Sequence, residues 1–506
     1  MNSGTISSTS SELLFTDADW NFDSLRRTYD AIENIALDDL KLNIYPNQVE
    51  IISAEQMLDA YSSVGMPLMY SHWSFGKHFV AQETQYRKGL RGLAYEIVIN
   101  SSPCISYNME ENTMAQQALV MAHAAFGHNH FFKNNEQFLQ WTDAEGILDY
   151  LNFAKGYISK CEERYGVSEV EQLLDSAHAL MPNGVYRYRR PQKLSLKAER
   201  EKERKRAIYE EKSVNYLWDA MPRSSYVDTS DMEREARKRK NSLHLPEENL
   251  LYFLEQYSPV LKVWQREIIR IIRNISQYFY PQRQTKVMNE GCACFVHYYI
   301  THSLHRTGLI NDGAMLEILH NHSNVIYQPS FDERHYSGFN PYALGYSMME
   351  DIKRICVEPT EEDRFWFSDI AGCGDWKNVL KDAWANYRDE SFITQFLSPE
   401  IIRKFRMFAL SDDAKSSHVV VTDIHNEQGY LNVREALSRS YDAGAIDPDI
   451  QVVDVDLLGD RCLRLCHFTR DGVTLDEKDR EQVLKHLRRL WGFEVNLEEV
   501  NSTETL

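Results

Sequence analysis

The sequence has no apolar stretch long enough to cross a membrane, and its first residues lack the basic start and apolar run of a secretory signal. None of its eight cysteines forms a Cys-x-x-Cys pair, which excludes a zinc ribbon and a thioredoxin-type motif. These absences predict a cytoplasmic protein with reduced thiols and no membrane span. Residues 1–15 are rich in Ser and Thr and are expected to form a disordered leader.

The chain also lacks an excess of basic residues. Lys and Arg total 56 against 75 Asp and Glu, which gives a net charge of −19 over 506 residues. A protein that binds duplex nucleic acid normally presents a basic face, so we expect no nucleic-acid partner. The sequence contains no Gly-rich phosphate loop, serine nucleophile elbow or DNA-binding motif.

Helical patterns make up most of the chain. Apolar residues recur at helical spacing in 260–278, and 286–304 is predicted to be a second long helix. Thr113 and Gln116 have the spacing of a capping box, which predicts a helix that starts there. Gly127 suits the C-terminal end of that helix.

The C-terminal residues differ, because strand and helix patterns alternate there in the order β-α-β-β-α-β of the ferredoxin-like plan. We therefore predict an α+β protein. A mostly helical core domain with a small sheet occupies 16–410, and a C-terminal ferredoxin-like β-α-β-β-α-β domain occupies 418–500. Residues 187–248 are polar and highly charged and are expected to be an insertion in the core domain. Residues 410–417 are the predicted linker.

Two stretches carry the residue types of a catalytic or metal site. The stretch 121–135 contains three histidines, and the stretch 288–299 contains a carboxylate, two thiols and a histidine. Imidazole is a common metal ligand and the usual acid–base group near neutral pH. We expect the two stretches to meet in the fold. The residues concerned are His123, His128, His130, Glu290, Cys292, Cys294 and His297.

Many short stretches in order resemble the stage V sporulation protein R (SpoVR-like) family, in particular its long enterobacterial type. They include HWSFGK, GLAYEIVINS, QALVMAHAAFGHN, VMNEG, NPYALG and DESFITQFLSP, and the resemblance covers residues 17–500. In spore formers this family is linked to spore cortex formation. In other bacteria its genes lie beside those of a PrkA-type serine kinase and a von Willebrand-like protein. The resemblance implies a stress or stationary-phase role with these two proteins as partners.

The spacing of the histidines limits how they can share a metal ion. On a regular helix residues i and i+4 lie about 40° apart, whereas His123 and His128, at i and i+5, lie about 140° apart. They converge only if the helix ends or bulges between them, and Gly127 is well placed for either. Ala124 follows His123 where a His-Glu-x-x-His motif has its general base, so the residues do not predict an ordinary zinc-protease mechanism.

The stretch Asn289-Glu290-Gly291-Cys292-Ala293 is similar to the Asn-Glu-Gly-Phe-Ala stretch of some zinc aminopeptidases, in which the glutamate is a metal ligand. His297 shares a helix face with Glu290 but lies about 10.5 Å further along the helix. The residues predicted to bind a divalent metal, with zinc the favoured ion, are His123, His128 and Glu290. The residues predicted to be catalytic are Glu290 and His297.

Three further positions have two interpretations each. Glu96 interrupts the apolar strand 93–99 and points either to solvent or to the site. Cys294 is either a soft metal ligand or a buried structural cysteine. His320 and His322, near the end of a predicted helix, either contribute a ligand or cap that helix.

Two functions from different classes fit these residues. The first is a metal-dependent hydrolase whose ion activates a water molecule. The link of the resembled family to cortex formation suggests a peptide or amide bond of a cell-wall precursor or recycled fragment as the substrate. The second is a non-catalytic scaffold or regulatory partner of the kinase group, in which the same polar cluster supports the fold. Bound metal in the purified protein would separate the two.

Overall fold

The computed structural model describes residues 12–62, 69–75, 77, 96–187, 243, 245–331, 333–334, 336–407, 410–411, 420–421, 426–457, 459–470 and 473–501. The chain divides into two compact units. The first contains Met1–Pro67, Phe75–Leu139 and Gln282–Asp442, and the second contains Leu68–Ser74, Gln140–Pro281 and Ala443–Leu506. Among the described residues, no helix is both long and apolar enough to span a membrane.

The described elements are mainly helices, together with two three-stranded sheets and one two-stranded pair, so the predicted α+β class is confirmed. In chain order they are α1 (Phe22–Asn34), a π-helical turn (Ile35–Asp39), β1 (Asn47–Ile52), α2 (Ala54–Ser62), β2 (Glu96–Ile99), β3 (Cys104–Met109), α3 (Met114–Met121), a second π-helical segment (Ala122–His128), α4 (Asn129–Asn134), α5 (Glu136–Trp141), α6 (Ile147–Tyr165), α7 (Val167–Ala179), a 3-10 turn (Met181–Asn183), α8 (Leu250–Tyr257), α9 (Val263–Gln284), α10 (Lys286–Arg306), α11 (Asp312–Val325), α12 (Pro341–Val357), α13 (Glu361–Trp366), α14 (Trp376–Asn386), α15 (Asp389–Phe396), α16 (Pro399–Lys404), β4 (Leu410–Ser411), β5 (Val420–Val421), α17 (Glu427–Tyr441), α18 (Ala443–Ile446), β6 (Ile450–Val455), β7 (Leu463–Thr469), α19 (Glu477–Trp491) and β8 (Val495–Asn501).

Helix α10 lies in the core of the first unit. It begins at Lys286, as predicted, and its side chains are buried on nearly every face. A helix that is enclosed all round is held by its neighbours rather than by one apolar stripe. Those neighbours are mainly α12 and the second π-helical segment. The carboxylate of Asp389 accepts the N–H groups of Val287 and Met288 at 2.8 and 2.9 Å, and so satisfies donors that the first turn cannot pair internally.

Glycines let the backbone of α10 approach its two neighbours closely. A Cβ atom on Gly345 of α12 would overlap the carbonyl oxygen of Val287, and one on Gly291 would lie 2.5 Å from the carbonyl carbon of Gly345. A Cβ atom on Gly127 would lie 2.6 Å from the Cα of Ala293. These separations are well inside van der Waals contact, so a side chain at any of these glycines would force the elements apart.

Replacing Gly345 by alanine is expected to destabilise the first unit by about 1–3 kcal/mol or more, because the added methyl group overlaps backbone atoms that cannot rotate away. Gly156→Ala, inside α6, is the matched control. A Cβ atom there meets nothing within 4 Å, and alanine favours a helix over glycine by up to about 1 kcal/mol. Chemical unfolding of both variants measures the effect, and equal stabilities would contradict the proposed close packing.

The sheet of the first unit has the order β1-β3-β2. Strands β1 and β3 are parallel, whereas β2 and β3 are antiparallel. Strand β2 is the described part of the predicted strand 93–99 and begins with Glu96. Both β2 and β3 contact the second π-helical segment, so the sheet lies beside the predicted site.

The C-terminal sheet of the second unit has the order β6-β7-β8. Strands β6 and β7 form the predicted antiparallel hairpin, while β7 and β8 are parallel and are connected through α19. Trp491, the last residue of α19, is fully buried and lies near Phe253 of α8, with 6.0 Å between the ring centroids. The hydroxyl of Ser258 donates to the carbonyl oxygen of Leu490 at 2.7 Å. The C-terminal elements therefore pack against α8 within this unit.

The structure differs from the predicted ferredoxin-like order in its first two elements. The strand expected at 418–424 is described only as β5, which pairs with β4 and not with the C-terminal sheet. Helix α17, the next predicted element, belongs to the first unit. In a ferredoxin-like sheet the first strand lies between the third and fourth. Here β7 pairs directly with β8, which leaves no such place, and the described C-terminal arrangement is β-β-α-β.

Several sequence predictions fall partly or wholly outside the described residues. These are residues 1–11 of the leader, 188–242 and 244 of the predicted insertion 187–248, and 412–417 of the linker. Within the described part of the leader, Leu14 and Phe15 are buried in the core. The Leu14 N–H donates to the carbonyl of Leu309 at 2.9 Å. The expectation of disorder is therefore wrong for these two residues, because their apolar side chains are enclosed.

Candidate functional site

Helix α3 begins where the sequence predicts but does not end at Gly127. The Thr113 hydroxyl accepts the N–H of Gln116, and the Gln116 side chain accepts the N–H of Thr113, so the capping box is confirmed. From Ala122 to His128 the backbone widens into the π-helical segment and then continues as α4. Gly127 is not a helix terminus. Its lack of a side chain lets the π-helical segment pack closely against Ala293 of α10.

The π-helical segment brings His123 and His128 onto one face. Its hydrogen bonds join residues five apart, so positions i and i+5 lie nearly above one another. The two imidazole rings are 4.6 Å apart between centroids and are nearly perpendicular. Of the two alternatives that the sequence left open, a helix end or a bulge, the structure shows the bulge. Such segments occur frequently at functional sites.

His123, His128 and Glu290 come together in the first unit. Glu290 Oε2 lies 3.5 Å from His128 Nε2 and 3.9 Å from His123 Nε2. One donor atom from each of the three residues lies within 4.8 Å of the others. A tetrahedral zinc ion with bonds of about 2.0–2.2 Å holds its ligand atoms about 3.3–3.6 Å apart. The spacing in this structure is therefore close to that of a zinc site.

Glu96 also faces this group of residues. Its Oε1 lies 3.7 Å from His123 Nε2, so the carboxylate points to the site and not to bulk solvent. Burial, together with the charge of the nearby Glu290, raises the pKa of Glu96 to about 8. Burial also raises the pKa of Glu290, although His128 and a hydrogen bond from Tyr342 oppose this change. Without a cation, Glu96 therefore holds a proton at neutral pH.

His297 lies against the other nitrogen of His123. The two Nδ1 atoms are 2.9 Å apart, and His297 Nε2 is 2.7 Å from Nδ1 of the buried His322. Cys294 completes a second group with His123 and His297, in which the donor atoms again lie within 4.8 Å of one another. His123 thus contacts Glu290 and His297, two residues that the sequence placed about two turns apart on α10.

Three histidines of the cluster, His123, His297 and His322, have lowered pKa values. Burial lowers the pKa of His123 and of His297 well below the usual range, and neighbouring imidazoles lower both further. Burial lowers the pKa of His322 to about 4. His128 Nδ1 lies 2.9 Å from Asn289 Oδ1, and because a carbonyl oxygen only accepts, Nδ1 donates. His128 Nε2 faces Glu290.

Sequence reasoning leaves some of these residues unassigned. The sequence leaves open whether Glu96 and His322 belong to the site. The one indication for Glu96 is that a carboxylate inside an apolar strand is unusual. Sequence reasoning misses Asn289 and Tyr342 as site residues, although Asn289 directly precedes Glu290. His130, which shares its stretch with the other two histidines, accepts the N–H of Asn43 at Nδ1 over 3.0 Å. It is a buried structural residue.

A cavity of about 510 Å³ lies at the start of α10. Lys286, four residues before Glu290, lines it together with Tyr327, Phe339 and Tyr441. The charge of Lys286 opposes the effect of burial on the pKa of Glu290. A cavity of this size with aromatic walls and one lysine can hold a small molecule.

Glu96 gives the metal-free protein a testable dependence of stability on pH. Its pKa is about 8 in the folded chain against an ordinary value of 4.5. A raised carboxyl pKa means that the folded state binds the proton more tightly, so the stabilisation is complete below pH 4.5 and is lost as pH rises through about 8. Because a tenfold difference in proton affinity is worth about 1.4 kcal/mol, the expected loss of stability is a few kcal/mol.

The comparison with Glu96→Gln isolates this effect from the other titrating groups. In the presence of a chelator, the free energy of unfolding of the wild type should fall relative to that of Glu96→Gln between pH 5 and 8. The control is Glu50→Gln, which neutralises a carboxylate of the same sheet that contacts Gln48. Parallel pH curves for wild type and Glu96→Gln would contradict the buried, protonated state of Glu96.

Comparison with known proteins covers nearly the whole chain. Residues 19–446 match the family described as SpoVR like protein, and residues 448–502 match the SpoVR-like C-terminal domain. The chain is 53% identical over 483 residues to the "Uncharacterized protein YcgB" of Escherichia coli (strain K12), which covers 96% of this chain and 93% of that relative. No solved structure matches the chain.

Proposed function

The chain belongs to the SpoVR-like protein family, and we propose that it is a metal-dependent hydrolase that cleaves a peptide or amide bond at the cluster of His123, His128 and Glu290. The observation that supports this most is Glu290 Oε2, a buried oxygen with no hydrogen-bond donor among the described residues. Nitrogens of both histidines face it at 3.5 and 3.9 Å. Buried acceptor atoms so arranged are unfavourable unless a proton or a metal cation lies between them. For this donor set zinc is the favoured cation.

The ligands are oriented by neighbouring side chains. His123 and His128 would hold the ion through Nε2, and Glu290 would hold it through Oε2. Asn289 fixes the His128 ring through Nδ1, and His297 contacts the Nδ1 of His123. Hydrogen bonds of this kind set the tautomer and direction of a ligating imidazole. In this proposal His297 is a positioning residue, because it reaches the ion only through His123.

Bound at this position, a divalent ion would lower the pKa of a coordinated water and polarise a carbonyl group. Glu96 is placed to hold the proton that such a reaction moves. In the metal-free chain the pKa of Glu96 is about 8. A bound cation would lower that pKa and so favour the ionised carboxylate that a general base requires. Glu96 would act as the general base, a role that Ala124 cannot perform at the position where a His-Glu-x-x-His motif has its glutamate. The side chains of Glu96 and Glu290 are about one-sixth exposed.

The substrate proposed is a small peptide or an N-acylated amino acid. The cavity lined by Lys286, one helical turn before Glu290, has the volume for such a molecule, and Lys286 would pair with a carboxylate. The link of the family to cortex formation supports a cell-wall precursor or recycled fragment.

A hydrolysis assay tests the proposal. The purified chain is stripped of metal, reloaded with zinc and incubated with a panel of peptides and N-acylated amino acids, and the new amino groups are measured. We expect release that disappears on metal removal and returns with zinc. Stoichiometric zinc binding without release from any member of the panel would leave a structural metal site and overturn the catalytic proposal.

We also propose that the chain works with a PrkA-type serine kinase and a von Willebrand-like protein, as the family resemblance implies. As a scaffold or regulatory partner of that kinase it would need no catalysis. Affinity purification of the tagged chain from cells entering stationary phase tests this. Recovery of neither protein after mild cross-linking would contradict it.

A further inference from the structure

Two groups of donor atoms share the imidazole of His123. Its Nε2 faces Glu290 and Glu96 at 3.9 and 3.7 Å, whereas its Nδ1 lies 2.9 Å from Nδ1 of His297. The two nitrogens of an imidazole ring point in different directions, so one ion cannot bind both. The proposed function uses the Nε2 side and leaves the group of His297 and Cys294 without a role in chemistry.

The first ion determines where the ring protons lie. With Nε2 of His123 bound to that ion, Nδ1 carries the proton of the neutral ring and donates it to Nδ1 of His297. His297 must then donate from Nε2 to Nδ1 of His322, which is 2.7 Å away. The lone pair of His297 Nδ1 is thereby fixed towards His123. A proton thus occupies the space between two nitrogens where a metal ion could replace it.

A thiol completes this second group. Sγ of Cys294 lies within 4.8 Å of one ring nitrogen of each of the two imidazoles. Burial and the nearby Glu290 and Glu96 raise the pKa of Cys294 well above the usual range, so the metal-free thiol is protonated. A cation beside it reverses this preference, because it stabilises the thiolate. A thiolate with two imidazoles suits zinc or cobalt(II) far better than magnesium or calcium.

We propose that the first unit binds a second divalent ion through His123 Nδ1, His297 Nδ1 and Cys294 Sγ, so that His123 bridges two ions as an imidazolate. This inference rests on the proposed function for the position of the first ion. Binding of the second ion releases two protons, one from the Cys294 thiol and one from the His123 ring, and changes no oxidation state. The cluster is then a two-ion centre with one carboxylate-rich and one thiolate position.

Titration with cobalt(II) tests the proposal, because a thiolate ligand adds a near-ultraviolet charge-transfer absorption that nitrogen and oxygen ligands do not give. The wild type should bind two equivalents, one of which carries this absorption. Cys294→Ser should bind one equivalent without it. His128→Ala should bind one equivalent with it, because His128 belongs only to the first group.

Cys292→Ser is the matched control. Cys292 is as fully buried on α10 as Cys294, but its Sγ faces the carbonyl of Gly127 at 3.9 Å, so this variant should keep both equivalents and the absorption. Thermal melting verifies that each variant is folded, and Cys294→Ala replaces Cys294→Ser if the serine variant is not.

Each other result overturns the two-ion centre. One equivalent in the wild type without thiolate absorption would leave the proposed function intact and remove the second ion. If the wild type binds one equivalent of cobalt(II) with that absorption, and both Cys294→Ser and His128→Ala lose this ion, a single site combines ligands from the two groups. Two equivalents without the absorption, or with an absorption that survives in Cys294→Ser, would place the second ion elsewhere. No binding at all would overturn this inference and the metal site of the proposed function together.

Discussion

Replacing His123 by alanine is expected to remove bound metal from the protein while leaving the chain folded. His123 is the residue shared by both donor groups, so its loss leaves neither group complete. Loss of a mere orienting partner costs about 10–100-fold in metal affinity, and loss of a ligand should cost at least that much. Elemental analysis after dialysis against buffered zinc measures the effect.

His130→Ala is the control for this experiment. His130 is buried to a similar degree in the same stretch of chain, but its ring accepts the N–H of Asn43. Both variants lose a buried imidazole and should lose some stability, whereas only His123→Ala should lose metal. Full metal content in His123→Ala would exclude His123 as a ligand and would favour a polar cluster that serves only the fold.

Replacing Glu96 by glutamine should lower the rate of amide hydrolysis about 100- to 10,000-fold, the usual contribution of a positioned general base. The amide keeps the shape of the side chain but cannot take up a proton at neutral pH. The site should still bind zinc, because His123, His128 and Glu290 remain. The measurements are kcat and metal content of the same preparation.

Glu50→Gln, on strand β1 of the same sheet, should keep the wild-type kcat and zinc content. Loss of zinc in Glu96→Gln would make Glu96 a fourth ligand and would contradict its role as a base. Unchanged kcat with zinc bound would exclude both roles. The three outcomes are distinct because rate and metal content are measured separately.

The start of the helix at Thr113 could be predicted because capping depends on residues three apart. Helix α10 also begins at the predicted residue, although the distant Asp389 satisfies the N–H groups of its first turn. The relative position of His123 and His128 could not be predicted from local sequence. Their spacing excludes a shared face on a regular helix, yet nothing local decides between a helix end and a bulge. The bulge in the structure lies where Gly127 packs closely on Ala293, far along the chain.

The C-terminal sheet shows the same limit. The hairpin of β6 and β7 follows from alternation and a tight turn, both of which are local. The predicted first strand at 418–424 had an equally suitable local pattern. Its described residues pair with β4, and β7 pairs with β8, because strand pairing depends on which edges meet in the folded chain.

The sequence by itself determined the α+β class, the family, and the two stretches from which the site is built. Order of motifs, helical periodicity and capping are properties of neighbouring residues, so they can be recognised without knowledge of the fold. Only the tertiary structure decided that Glu96 faces His123, that His322 bonds His297, and that His130 does not belong to the cluster. Each of these depends on the packing of elements distant in sequence, and no local pattern encodes the distance between them.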